Sequence, residues 1–373
     1  MTTTGPPTLG PEGAEATLGS VTADRRVVVC CGPGGVGKTT VSATFALQAA
    51  RQGRRACVVT VDPARRLADA LGVESLPNTP TLVPGDWPGS LYALMLDTKG
   101  TFYDLVRRYA TTEEQAASIQ SNRLYQNLAG ALSGTQEYMA MEKLYELTDS
   151  GDYDVVVVDT PPTRNALDLL DAPRRLTQFL ENRLFRALLL PTRAGLKAVG
   201  MATRALLRTI SKVAGAEIVD DAVTFFQAFA GMEEGFRDRA KAVRTMLADP
   251  ATAYVLVTSP RADAVEEASF FADKLAGTGV VPAGLVVNRV HPRFGADGLA
   301  LPEAPVGSDL AAIAENLADL DELADREAGA YEALVQRVAP APVGRVPLLG
   351  SDVHDLTGLA SVADHLFGQS SVG

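Results

Sequence analysis

The residues Gly32-Pro33-Gly34-Gly35-Val36-Gly37-Lys38-Thr39 satisfy the phosphate-loop spacing G-x-x-x-x-G-K-[ST]. Each residue type has a physical task there. Glycines let the backbone turn its N–H groups inward around phosphate oxygens, and the start of the following helix adds partial positive charge. Lys38 supplies a cation for the terminal phosphates, Thr39 offers a hydroxyl to Mg²⁺, and Thr40 lies within reach of an α-phosphate. Gly34, Gly35, Val36 and Gly37 are the cradle itself. A dinucleotide loop lacks the Lys-Thr pair, so a dehydrogenase is a poor reading. A small-molecule kinase would need neither of the two acidic segments described next.

Two carboxylates stand where this chemistry needs them. Asp159 closes the apolar run Val155–Val158, a position from which it can hold Mg²⁺ directly or through water. Asp62 closes Thr60-Val61-Asp62-Pro63 and suits a role in orienting the attacking water or bridging to the metal. The simpler reading of either is a helix cap. Asn288 follows another apolar run and can pair with a base edge, although Asn after a strand is also an ordinary turn residue.

Positioning these groups requires strands that end in one row. Val27–Cys31, Ala56–Val61, Asp154–Val158, Tyr254–Val257, Ala283–Val287 and Val343–Pro347 read as short buried strands. Helical runs cover Lys38–Arg51, Ala262–Leu275 and Asp352–Phe367, with Ser259-Pro260 suited to a helix start. Strand, loop, helix and strand in that order predict an α/β fold with a mostly parallel sheet. Tyr103–Thr148 and Ala166–Leu247 are mostly helical and too long for ordinary crossovers. The expected organisation is a flexible lead over 1–24 and a nucleotide-binding domain over 25–100, 151–165 and 249–373. A helical subdomain is built from insertions at 101–150 and 166–248, and an acidic insert lies near 296–335.

With 34 Lys plus Arg against 45 Asp plus Glu, the net charge of −11 argues against a surface devoted to nucleic acid, so no specific nucleic-acid partner is expected. The charge is uneven. Residues 174–212 carry nine basic residues and one acid, interleaved with Leu and Phe, whereas 297–332 carry ten acids and one arginine. The basic run reads as core helices with basic outer faces, or as a surface for a membrane or hydrophobic client. The three cysteines, Cys30, Cys31 and Cys57, lie in apolar runs and read as small buried hydrophobes. No run of 18 uncharged apolar residues and no signal-peptide pattern is present, and a cytoplasmic protein is expected.

These blocks resemble the deviant phosphate-loop ATPases that include the arsenite-pump ATPase and the tail-anchored-protein targeting ATPase. The resemblance runs from about Val27 to Phe367. Besides the phosphate loop, Asp62–Ala70 looks like the first switch and Asp159–Asn165 like the second. Val287-Asn288-Arg289 and the turn at Pro347 look like the adenine-binding elements. The resemblance implies ATP and Mg²⁺ as cofactors, Asp62 polarising water, Asp159 in the Mg²⁺ shell, and an ATP-driven dimer. The segments Gly134–Lys143 and Asn165–Asp168 are similar to the actinobacterial anion-transporting ATPase homologues, which occur as paired, non-identical subunits. That implies a paralogous partner in a heterodimer or heterotetramer.

Three departures set this chain apart. Pro33 stands where the family has a lysine that reaches the partner's phosphates, and proline offers neither charge nor N–H. Arg65-Arg66 replaces His-Asn in the first switch, and Arg164-Asn165 replaces Gly-His in the second. No cysteine follows Cys57, so neither a zinc-bridged dimer nor a three-thiol arsenite site can form in the helical region. A subunit that binds ATP and hydrolyses it poorly is therefore the competing reading.

Overall fold

The computed structural model describes residues 17–62, 64–122, 135–161, 231–293 and 308–368, with a few single residues elsewhere. Eight strands form one sheet: β1 (Val27–Cys31), β2 (Arg55–Thr60), β3 (Thr81–Val83), β4 (Ser90–Met95), β5 (Val155–Asp159), β6 (Thr252–Thr258), β7 (Gly284–Val290) and β8 (Val343–Pro347). Their spatial order is β3-β4-β2-β5-β1-β6-β7-β8. Every pairing is parallel except that of β3 with β4 at the edge. The expected α/β fold with a mostly parallel sheet is what forms.

The central strands are buried on both faces, as continuous Val-rich runs require. Side chains alternate between two cores. Val27, Val29, Cys31, Val156 and Val158 enter one, while Val28, Cys30, Val155 and Val157 enter the other. All three cysteines are buried and free, as read from the sequence.

The second of these cores lies under α1 (Leu18–Asp24), α2 (Lys38–Arg51), α3 (Arg66–Leu71) and the closing helix α10 (Leu356–Phe367). The first lies under α4 (Thr98–Tyr109), α5 (Glu113–Ser121), α6 (Thr135–Asp149), α7 (Glu233–Ala248), α8 (Ala262–Gly277) and α9 (Asp309–Val338). Between α6 and α7 a buried ion pair, Arg239 Nε to Glu142 Oε1 at 2.7 Å, is set into otherwise apolar packing. Arg239 also stacks over Tyr145, 4.0 Å from the ring centre.

Several expectations change. Leu18–Asp24 was expected within the flexible lead, but it is a helix whose Leu18 and Val21 are buried under α2 and α10. The short polar-flanked helix has too little periodicity of its own to declare itself. β3 and β4 were not anticipated, because a Pro- and Gly-rich stretch separates them and masks the alternation. Asn288 was expected just beyond its strand and instead lies inside β7, at a register shift between Asn288 and Val290. The acidic stretch contributes the 30-residue helix α9, anchored by buried Ala324, Tyr331, Leu334 and Val338. Most of the basic run 174–212, and most of the expected second insertion, lies outside the described residues. No helix among the described residues is long and apolar enough to cross a membrane.

Candidate functional site

Parallel strands leave their carboxyl ends in one row, and ligands bind there in open α/β sheets. The glycine-rich loop leaves β1 at that edge. Gly32 passes so close to β6 that a Cβ would sit 2.0 Å from the Val257 carbonyl oxygen. Gly37 has φ +90°, and a Cβ there would meet Asn288 Nδ2 at 2.3 Å. Only a residue without Cβ fits either place. Val36, 2% exposed, pins the loop to the core between them.

α2 begins at Lys38, so its first free N–H groups point toward the loop. The Lys38 side chain is buried, and its ammonium donates to the Pro33 carbonyl at 2.7 Å. Burial pulls its pKa below the ordinary lysine value, while Asp159 and other nearby acids oppose that shift.

Asp159, the last residue of β5, is 1% exposed and sits beneath the loop. Its Oδ2 accepts hydrogen bonds from Thr39 Oγ1 at 2.7 Å and Thr60 Oγ1 at 2.8 Å. Its Oδ1 is buried and has no hydrogen-bond partner. An orphaned carboxylate oxygen beside a phosphate-loop hydroxyl suits a hard cation such as Mg²⁺, which takes oxygen donors and usually one or two carboxylates. Thr39 and Asp159 are the residues that fit it. Among the described residues no cluster of three His, Cys, Asp or Glu side chains offers an all-protein metal cage.

Burial raises the Asp159 pKa from 3.8 to about 6, against the lowering effect of its two hydroxyl partners and Lys38. The raised value has a definite sign. Folding disfavours the ionised form, so the cost is complete above about pH 6 and disappears as pH falls toward the unfolded value. Asp159→Asn removes that pH-dependent cost, so its stability relative to the parent is expected to fall by about 1–3 kcal/mol as the pH is lowered from neutral toward the unfolded carboxylate value. Urea denaturation at neutral and at mildly acidic pH measures it, and a stability difference that does not change with pH would refute the raised Asp159 pKa.

Asp62 lies just past β2 at the rim of the same cavity. Its Oδ1 accepts from the Ala64 N–H at 3.0 Å, and its Oδ2 pairs with Arg66 Nη1 at 3.1 Å. Asn288 Nδ2 donates to the Val36 carbonyl at 2.8 Å, and its Oδ1 accepts from the Arg289 N–H at 3.0 Å. Arg289 holds φ +62° and donates a guanidinium N–H to the Gly35 carbonyl at 3.1 Å. In this arrangement Asn288 and Arg289 brace the phosphate loop. A second amide hydrogen and a second lone pair on Asn288 stay available for a base.

The resulting cavity holds about 580 Å³. Gly34, Gly35, Gly37, Lys38, Thr39 and Thr40 form its phosphate end, Asp62 and Arg66 one wall, and Asn288, Arg289 and Pro347–Leu349 the other. Of the expected site residues, Val36 and Asp159 lie beneath this lining rather than in it. Sequence reasoning passed over Thr60, which holds Asp159, and Thr160, whose hydroxyl donates to the Cys30 carbonyl at 2.8 Å. Thr60 could have been noticed as the strand residue two before Asp62. Asp69, Ser351 and Asp352, also in the lining, carried no such signal. Pro63 and the second-switch residues Pro162, Thr163, Arg164 and Asn165 lie outside the described residues. Pro33 is absent from this lining and instead lines an adjoining smaller cavity of about 220 Å³, shared with Ser259, Glu267, His291 and Glu327.

A family model described as an anion-transporting ATPase matches residues 25–297. An uncharacterized protein of Streptomyces coelicolor is 34% identical over 274 residues, covering 72% of this chain and 63% of that protein. The ATPase GET3A of Arabidopsis thaliana is 28% identical over 262 residues, covering 69% of this chain and 65% of the relative. The ATPase asna-1 of Caenorhabditis elegans is 34% identical over 154 residues, or 39% of this chain and 44% of the relative. The chain thus spans less than two thirds of the length of each of these relatives.

Proposed function

Since the chain belongs to the anion-transporting ATPase family, we propose that it is a Mg²⁺-dependent ATPase subunit that works with a non-identical paralogue. Its nucleotide state would move the dimer and, with it, the helical subdomain. The observation that carries the ATPase reading is the Thr39–Asp159 contact beneath Lys38, with the second Asp159 oxygen left unpaired. Bound there, Mg²⁺ would neutralise charge on the phosphates.

The chain's own residues do the rest. Backbone N–H groups from Gly34 to Thr39 bind phosphate oxygens, and Lys38 turns from the Pro33 carbonyl to the terminal phosphates. Asp62 orients a water for in-line attack on the γ-phosphate. Such a reaction asks the protein chiefly for positioning and charge stabilisation. Asn288, Arg289 and Pro347 hold the adenine, and Arg289 also keeps the loop in shape.

Pro33 supports pairing with a paralogue that supplies the missing cation in trans, because two copies of this chain would lack that charge at both sites. In this reading the assembly works in the cytoplasm, and the basic segment 174–212 is its contact with a membrane or a hydrophobic client. Pro33 also favours a second reading, a subunit that binds ATP but serves only to regulate its partner.

ATP binding and turnover measured separately, first on this chain and then on the mixed complex, decide between them. The purified chain is expected to bind ATP and hydrolyse it slowly, with stimulation by the paralogue that depends on Lys38 of this chain. Equal turnover with and without the paralogue would defeat the asymmetric assembly. Stimulated turnover that survives Lys38→Ala would support the regulatory reading.

A further inference from the structure

The first switch of this chain carries a cation on its catalytic acid. Arg66 Nη1 lies 3.1 Å from Asp62 Oδ2, while the Ala64 N–H occupies Oδ1. Each carboxylate oxygen accepts one bond, so Asp62 is held in orientation and the guanidinium offsets the negative charge that would polarise a water. Arg66 and Asp62 also line the cavity that holds Lys38 and Thr39. We propose that Arg66 is a phosphate-sensing cation: it holds Asp62 while the site lacks a terminal phosphate, and releases it by moving onto that phosphate. The inference rests on the reading of this cavity as a nucleoside triphosphate site.

The charge balance favours such an exchange. The lining supplies three cations, Lys38, Arg66 and Arg289. Lys38 belongs to the loop, and Arg289 is committed to the Gly35 carbonyl at the opposite wall. Arg66 is differently placed. Its side chain is 63% exposed and that of Asp62 15%, so the pair is partly solvated and weak enough to exchange. Turning the guanidinium from Oδ2 toward the phosphate end needs a side-chain rotation and no change of fold. A terminal phosphate also presents more charge than one carboxylate, with oxygens matched to the guanidinium fork. An asparagine or histidine at this place could not make the same exchange at neutral pH.

The sensing residue is a positioning group for Asp62 and a direct ligand of the phosphate. Each role has its own readout. Calorimetric titration of the full chain with Mg²⁺ and a non-hydrolysable ATP analogue, ADP or adenosine would be run on the parent, Arg66→Ala, Arg66→Lys, Asp62→Asn and the double variant. Arg66→Ala is expected to weaken the triphosphate about tenfold relative to the diphosphate, the size of one charge-assisted contact. Arg66→Lys should recover part of that discrimination, which a misfolded loop would not do. Asp62→Asn frees Arg66 beforehand and should tighten triphosphate binding severalfold, a gain that the double variant loses.

An unchanged ratio of triphosphate to diphosphate affinity in Arg66→Ala, with the parent binding both, overturns this inference and leaves the nucleotide-site reading standing. Failure of the parent to bind any of the three ligands overturns that reading and this inference together.

Discussion

Replacing Lys38 by alanine is expected to lower ATP affinity by at least about tenfold and to reduce any turnover by about a hundredfold or more. The size follows from where the ammonium sits. It is buried at the phosphate end of the cavity, bonded to the Pro33 carbonyl, and electrostatically coupled to Asp159. Its removal strips the site of a loop cation that Pro33 cannot replace. It also takes away one of the influences holding the Asp159 pKa down, so that carboxylate is pushed further toward its neutral form. Arginine would not restore the function well, since a fork-shaped guanidinium does not fit the tight path of the lysine stem between loop and helix. Equilibrium titration with a fluorescent ATP analogue, alongside a phosphate-release assay on the mixed complex, measures both parts. Parent-like affinity and turnover in Lys38→Ala would remove the phosphate-loop assignment.

The second large effect is expected from Asp62→Asn, and it should fall almost wholly on turnover. Asparagine keeps the shape of the side chain and an acceptor for the Ala64 N–H, so the first switch retains its local turn. What disappears is the negative charge that would align and polarise the attacking water. Turnover of the assembled complex should drop by about a hundredfold or more while ATP binding is retained or somewhat tightened. Binding and positioning are thereby separated, because affinity reports the ground state and the rate reports the transition state. Hydrolysis at the parent rate by the Asp62→Asn complex would show that this carboxylate does not act on the water. The contrast with Lys38→Ala matters, since one substitution should damage both quantities and the other only one.

Much of this site was legible in the linear sequence because its chemistry depends on local spacing. Gly32–Thr39 specifies a turn and a helix start within eight consecutive residues, and α2 begins at Lys38 as that spacing requires. The Val-rich runs of β1 and β5 declared a parallel, doubly covered sheet, because only strands buried on both faces can be apolar at successive positions. Asp62 and Asp159 were recognisable as acids closing such runs. What remained illegible depends on residues far apart in the chain. The Thr60 hydroxyl reaches Asp159 only because β2 and β5 pair in register, with Thr60 opposite Asp159. Asn288 reaches the Val36 carbonyl from a register shift in β7, at which Arg289 has positive φ, and neither feature is visible in the residues around it.

The sequence by itself determined the spacing of the glycine-rich loop, the sheet class and the proline at position 33, since each is a property of neighbouring residues. Tertiary structure alone decided that Asp159 is buried with one oxygen unpaired and that Pro33 lines a second cavity together with residues of α8 and α9. Burial, desolvation and side-chain pairing come from the whole packed sheet and its covering helices, and no stretch of neighbouring residues encodes them.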